Sequence, residues 1–309
     1  MGCDSMILNI SGRTDIVAFY TPWLIHRLKE GFVDVRNPFY PKLVQRIFFK
    51  DVDAMVFCTK NPLPILPYLS EIKIPIIFQV TLTPYHKDLE PHLPPKGKII
   101  EGIKKLATII PKEFLYVRYD PILINPTYTL DYHIRSFRHL CQALDGVVSK
   151  VIVSFIDHYK NVENHSSLLQ LKEMTEEDLK IIGTHFSQIA KEHHMTVQTC
   201  GEKHNLQEYG FVKRDCVDFT TLFQLTGKTH FTEWKARNNS YCHCAKMIDI
   251  GAYNSCPHHC KYCYANFKEE EIAQNQKLHD PHSSLLLGHI QEEDEIKVLS
   301  DKRSHFYVE

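Results

Sequence analysis

The stretch Ile74–Thr83, IPIIFQVTLT, sets the fold. Its apolar part, Ile74–Val80, runs nearly without interruption instead of alternating, as in a strand covered on both faces of a parallel sheet. Hydroxyls follow at Thr81 and Thr83, and then a Pro-rich loop over residues 84–96. Working outward, the same unit recurs at Met6–Ile10, Ala54–Cys58, Phe114–Arg118, Val151–Phe155, Met195–Thr199 and Met247–Ile250, each run closed by polar or Gly/Pro punctuation. Amphipathic stretches lie between them. Thr21-Pro22 is expected to open a helix, with Thr21 as cap and proline at the first helical position, ending before Gly31. Lys98–Ile110 and Leu130–Leu144 read as two more helices. Thr175-Glu-Glu-Asp178 is a capping-box variant, and Leu179, Ile182, Phe186, Ile189 and Ala190 recur behind it at helical spacing. This alternation predicts an α/β fold with a parallel sheet. The number of repeats predicts a TIM-like β/α barrel, full or partial, over residues 1–267, with 268–309 as a C-terminal helix and appendage packed on it.

The 309 residues carry a formal net charge of −1, with 43% hydrophobic and 24% charged residues. That balance excludes a wholly disordered or fibrous chain and gives no sign of general attraction to nucleic acid or membrane. No apolar run approaches the roughly 20 residues that span a bilayer. The first residues lack the basic and apolar regions of a secretory signal, and position 6 is Met where a myristoylation motif at Gly2 requires Ser or Thr. A cytoplasmic location is the resulting expectation. In a reducing compartment the ten cysteines point to metal or redox chemistry before disulfides.

The densest chemistry lies in Asp249–Asn266, DIGAYNSCPHHCKYCYAN. Cys256, Cys260 and Cys263 form a C-x3-C-x2-C array, with Tyr262 just before the last cysteine. Three thiolates on one short loop can hold three irons of a 4Fe-4S cube, leaving the fourth iron open to a ligand. The array resembles that of the radical SAM enzymes, whose hallmark is this spacing with an aromatic before the third cysteine. The resemblance implies a 4Fe-4S cluster, S-adenosylmethionine bound at the open iron, and reductive cleavage to a 5'-deoxyadenosyl radical that abstracts hydrogen from a small-molecule substrate. It also implies an electron donor such as flavodoxin or ferredoxin. In that superfamily the array follows the first barrel strand. Here it follows Met247–Ile250 near the end of the chain, so the barrel is expected to be circularly permuted, which touching βα units allow.

More of the chain resembles an uncharacterised bacterial family, a domain of unknown function with a C-terminal cysteine group similar to the radical SAM array. The matching pieces are Ser11-Gly-Arg-Thr-Asp15, Phe57-Cys-Thr-Lys-Asn-Pro62, Thr81-Leu-Thr83, Glu90-Pro91, Arg118-Tyr-Asp-Pro121, Ser154-Phe155 and Asp249-Ile-Gly251, followed by the array. Cys58 stands where the family pattern has Trp, and Ala236-Arg237 where it has Gln-Arg.

Alternatives remain open on the residues alone. The array can serve a non-catalytic zinc or iron-sulfur module, with His258, His259, Cys242 or Cys244 as the fourth zinc ligand. The same open cluster can instead transfer a 3-amino-3-carboxypropyl group. A metal-independent barrel enzyme could use Asp120 and Glu202 as acid and base. Cys200, Cys216, Cys242 and Cys244 offer a second site for an auxiliary iron-sulfur cluster or zinc, or are buried thiols. Cys3, Cys58 and Cys141 read as packing residues. Polar groups cluster where strands end: Arg13 and Asp15, Lys60 and Asn61, Thr81 and Thr83, Arg118 and Asp120, Ser154 and Asp157, then Glu202. In a barrel they converge on one rim. Arg118, Asp120, Lys60, Arg13 and Glu202 are therefore the expected catalytic and anion-binding groups, with Tyr253 and Tyr264 flanking the cofactor.

Overall fold

The computed structural model describes residues 6–228, 234–237 and 241–299. Among them are strands β1 (Met6–Asn9), β2 (Phe32–Arg36), β3 (Leu43–Phe48), β4 (Val52–Thr59), β5 (Ile76–Thr81) and β6 (Leu115–Ile122). Then follow β7 (Lys150–Phe155), β8 (Thr196–Thr199), β9 (Val212–Lys213), β10 (Ile248–Asp249) and β11 (Glu295–Val298). Eight of these strands make one sheet in the order β10-β1-β4-β5-β6-β7-β8-β9, parallel throughout. From β1 to β9 the spatial order follows the chain, without the reversal that marks a doubly wound sheet. The late strand β10 then returns to lie beside β1. The expected barrel would need β9 and β10 to pair.

Among the described residues the ladder is nevertheless open, because no strand pairing joins β9 to β10. Both edge strands are only two residues long and pair on one side only.

Alternation along the strands divides the core in two. One face carries Phe57, Phe78, Val117 and Val153, packed against Leu24, Ile103, Phe137 and Phe186 from the helices Thr21–Glu30, Lys96–Leu106, Leu130–Ala143 and Glu176–Glu192. The other face carries Ile7, Val56, Ile77, Tyr116 and Ile152, packed against Leu222, Trp234 and the buried cysteines Cys216, Cys242 and Cys244. Toward the carboxyl ends of the strands, that second face turns polar at Gln79, Arg118, Asp120 and Ser154.

Local signals behave as their chemistry dictates. Thr175 accepts from the Asp178 backbone N–H and Asp178 returns the bond to the Thr175 N–H, closing the capping box. Thr21, by contrast, is not a cap. Tyr20 occupies that position, and the Thr21 hydroxyl donates back to the Val17 carbonyl at 2.8 Å because a short helix, Ile16–Phe19, immediately precedes it. The expected C-terminal helix is Glu269–Leu278. Beyond it, β11 runs parallel to β3, which is antiparallel to β2, so the tail completes a small second sheet. Trp23 donates to the Ser283 carbonyl at 2.9 Å and fastens this tail to the main body. Cys3 and residues 300–309 lie outside the described residues. No helix is long and apolar enough to cross a membrane among the described residues.

Candidate functional site

Parallel strands bring their carboxyl ends to one edge, and the cysteine array sits there, after β10. Arg13, beyond β1, donates from Nε to Asp249 Oδ1 at 2.9 Å and from Nη2 to the Asp249 carbonyl at 2.7 Å. The approach requires glycine at position 12, where a Cβ would stand 1.9 Å from Asp249 Oδ2. Tyr20 donates to the Ser255 carbonyl at 2.6 Å. Asn266 brackets Cys256, donating to its carbonyl at 2.7 Å and accepting its N–H at 3.4 Å. Asn254 accepts from the Phe267 N–H at 2.9 Å, so the array is a closed loop with a fixed base. Cys256 and Cys260 are buried and Cys263 is half-buried. Burial pushes all three thiols up in pKa, opposed at Cys260 by the Lys60 ammonium and at Cys263 by the Ala265 N–H, 3.4 Å from its sulfur.

Under the loop lies an ion network. Glu90 is 1% exposed and accepts from Lys60 at 2.8 Å, from Thr83 at 2.6 Å, and from Lys96 and Tyr262. Burial alone would raise the Glu90 pKa, but the two ammoniums outweigh it and hold the carboxyl at about 2. Burial lowers Lys60 too, and there Glu90 and Cys260 win, so its pKa rises; at Lys96 burial wins and the pKa falls. Tyr262, the aromatic of the array, is thereby clamped over this network, with the Lys60 ammonium 5.4 Å from its ring centre.

A second buried group centres on Asp15. Its carboxylate accepts from the Ala18 N–H at 3.0 Å, the Thr59 hydroxyl at 2.7 Å and the Lys60 N–H at 2.8 Å, with His258 Nε2 at 3.1 Å. An ionised carboxylate only accepts, so His258 donates through Nε2. Its other nitrogen, Nδ1, is buried without a partner among the described residues.

Arg118 and Asp120 stand two residues apart on one face of β6. Arg118 donates from Nε and Nη2 to Asp120 Oδ2, at 2.8 and 2.6 Å, and from Nη1 to Gln79 at 3.1 Å. Ser154 donates to the other Asp120 oxygen. Burial would lower the Arg118 pKa, but Asp120, Cys216, Cys58 and Cys200 hold it well above its usual range. Three of its five N–H donors are used, so the guanidinium keeps capacity for a further acceptor.

The expected rim residues thus fall into three knots: Lys60 with the cysteine loop, Arg118 with Asp120 and Ser154, and Arg13 with Asp249. Glu202 spends its oxygens on the Phe155 and His204 backbone N–H groups, which ties the loop after β8 to the end of β7. Asp157 accepts from Tyr159. Tyr253 lies beside Arg13 and Phe267, and Tyr264 donates to the Gly12 carbonyl. Sequence reasoning did not single out Glu90, Lys96 or His258 for these roles. Glu90 lies in the Pro-rich loop and Lys96 at its end, as the first residue of the helix Lys96–Leu106, where no periodicity marks a buried charge, and the residues alone offer His258 as a zinc ligand or as a side chain flanking the loop.

The second cysteine group lies on the same face of the sheet as Arg118, nearer the apolar core. Cys200, Cys242 and Cys244 are the one trio of His, Cys, Asp or Glu side chains, among the described residues, whose ligand atoms all lie within 4.8 Å of one another. The trio could hold a metal. Cys244 Sγ is 3.4 Å from both Cys200 Sγ and Cys216 Sγ. Cys141 is buried in the core formed by the helices. Cys58 is half-buried on β4, and burial pushes its thiol up to about 11.

A family model described as Domain of unknown function (DUF1848) matches residues 7–265, from β1 to just past Cys263. No curated protein and no solved structure matches the chain.

Proposed function

We propose that this chain, which belongs to the DUF1848 family, is a radical SAM-like enzyme acting on a small molecule. Cys256, Cys260 and Cys263 would hold the 4Fe-4S cluster. The carrying observation is that these thiols share one closed loop at the carboxyl edge of a parallel sheet, yet do not gather at the spacing of a single ion. A lone zinc, with bonds of about 2.3 Å, would draw its sulfurs to about 3.8 Å from one another. Soft thiolates suit iron and sulfide, so the donor set fits the group. When bound, the cluster would supply the electron that cleaves S-adenosylmethionine reductively.

The chain's own residues have definable roles. Lys60 stands by Cys260 and favours its thiolate. Glu90, Lys96 and Tyr262 hold that lysine and the loop in register and keep water from the buried side. Arg118, with donors to spare, would orient a carboxylate or carbonyl of the bound molecules, and Asp120 fixes the guanidinium plane. The further reading of the sheet as a permuted β/α barrel draws support from β10, which precedes the loop and lies beside β1, as the first barrel strand precedes the array in the radical SAM superfamily.

Anaerobic reconstitution tests the proposal. The expected result is about four irons and four sulfides on the loop, a reduced-cluster spectrum changed by S-adenosylmethionine, and release of 5'-deoxyadenosine. Methylthioadenosine as product would replace hydrogen abstraction by 3-amino-3-carboxypropyl transfer. Undiminished iron in Cys256→Ala would overturn the assignment of the loop.

A further inference from the structure

We infer that Cys200, Cys216, Cys242 and Cys244 form a tetrathiolate site for one zinc ion, which clasps together the two edges of the sheet that backbone pairing leaves open. Spacing is the first ground. Four sulfurs around one zinc, at about 2.3 Å each, stand about 3.8 Å apart. Cys244 lies 3.4 Å from Cys200 and 3.4 Å from Cys216, and Cys242 lies within 4.8 Å of both Cys200 and Cys244. Cys216 joins the trio through Cys244, so Cys244 lies within 4.8 Å of all three other sulfurs. A cube seats each thiolate on a different iron, and a 2Fe-2S rhomb splits the four into two separated pairs. Neither places one thiolate sulfur, as Cys244 stands here, close to all three others.

Surroundings agree with the spacing. Cys216, Cys242 and Cys244 are buried among Ile7, Val56, Ile77 and Tyr116, with no carboxylate or imidazole in the ligand trio. Four thiolates on a divalent ion leave net negative charge, and the half-buried Arg118 guanidinium, on the same face of the sheet, supplies compensating positive charge. Binding needs no electron transfer. Four S–Zn bonds form as the thiol protons leave to solvent.

The ligands come from the two edges of the sheet, which no strand pairing joins among the described residues. Cys200 follows β8, Cys216 lies just beyond β9, and Cys242 and Cys244 precede β10. Among the described residues the direct backbone linkage between these edges is the Ala245 N–H, which donates to the Val217 carbonyl at 2.9 Å. One ion bound to all three segments closes through side chains the ring that β9 and β10 do not close through hydrogen bonds.

The test uses the full chain with the loop cysteines replaced, Cys256→Ala/Cys260→Ala/Cys263→Ala, so that loop metal is absent whatever its identity. Expected is about one zinc per chain and no sulfide, with zinc-edge absorption fitting four sulfur neighbours near 2.3 Å. Adding Cys216→Ser should cut zinc at least tenfold, and adding Cys58→Ser should not. Should Cys216→Ser fail to fold, cobalt exchanged into the triple variant reads the same site, giving intense tetrahedral-thiolate bands. Iron with sulfide in the triple variant, a metal-free chain of wild-type stability, or zinc with mixed nitrogen or oxygen neighbours would each overturn the inference. None of these outcomes bears on whether the wild-type loop holds iron, so the two assignments fail separately.

Discussion

Two groups of cysteines in one chain solve opposite problems. In the loop 256–263 the ligands are adjacent in sequence but do not all come within 4.8 Å of one another, and the loop is closed at its base by Asn254 and Asn266 and propped from beneath by the Glu90 network. In the group 200, 216, 242 and 244 they are scattered over three segments but gathered around one sulfur, Cys244, which lies within 4.8 Å of the other three. Spread ligands suit a multinuclear group and gathered ones a single ion. Their positions differ for the same reason. The loop sits at the carboxyl edge, where substrates reach a parallel α/β sheet, and the gathered group sits in the apolar layer, where a closed coordination sphere needs no access.

The sharpest way to break this contrast is a crossed pair of deletions. Cys256→Ala should lose most iron and keep zinc, and Cys216→Ser should lose most zinc and keep iron, as read by elemental analysis of anaerobically prepared protein. Parallel loss of both metals from either variant would mean one coupled centre. Next in size is Glu90→Gln. Removing a buried carboxylate that faces two ammoniums leaves them repelling and unpaired, at a cost of about 3–5 kcal/mol in urea unfolding. Iron retention on the loop should fall, and zinc should not change.

Acid sharpens the same distinction. The Glu90 carboxyl is held at about 2 in the folded chain, against an ordinary value of 4.5. Its folded pKa is depressed, so its contribution to stability is complete above the ordinary value and is lost as pH falls toward 2. Unfolding free energy measured between pH 5 and 2 should fall less steeply in Glu90→Gln than in wild type. The smallest effect is the control: Thr175→Ala removes a helix cap far from either group and should cost about 1 kcal/mol, with both metal contents unchanged.

Much of the main sheet was legible because its strands carry nearly uninterrupted apolar runs, as at Ile74–Val80, and the capping box at Thr175 is a local device. The short strand β9, Val212–Lys213, has exposed side chains and no run to announce it. The tail strand β11 is exposed at all four positions and finds its place only by pairing with β3. The cysteine loop declared itself by spacing. The Glu90 network did not, since a buried carboxylate becomes recognisable only when the fold brings Lys60 and Lys96 to it. Cys200, Cys216, Cys242 and Cys244 were nameable as a group, yet a single ion and a cluster differ by a few ångströms between sulfurs, which residue spacing over forty positions cannot carry.

The central claim is that one chain holds two unlike inorganic centres. Native mass spectrometry of the anaerobically reconstituted chain reads both at once. One dominant species carrying a single 4Fe-4S cluster and a single zinc is the predicted result. A species with two clusters, or with zinc and no iron, would contradict it.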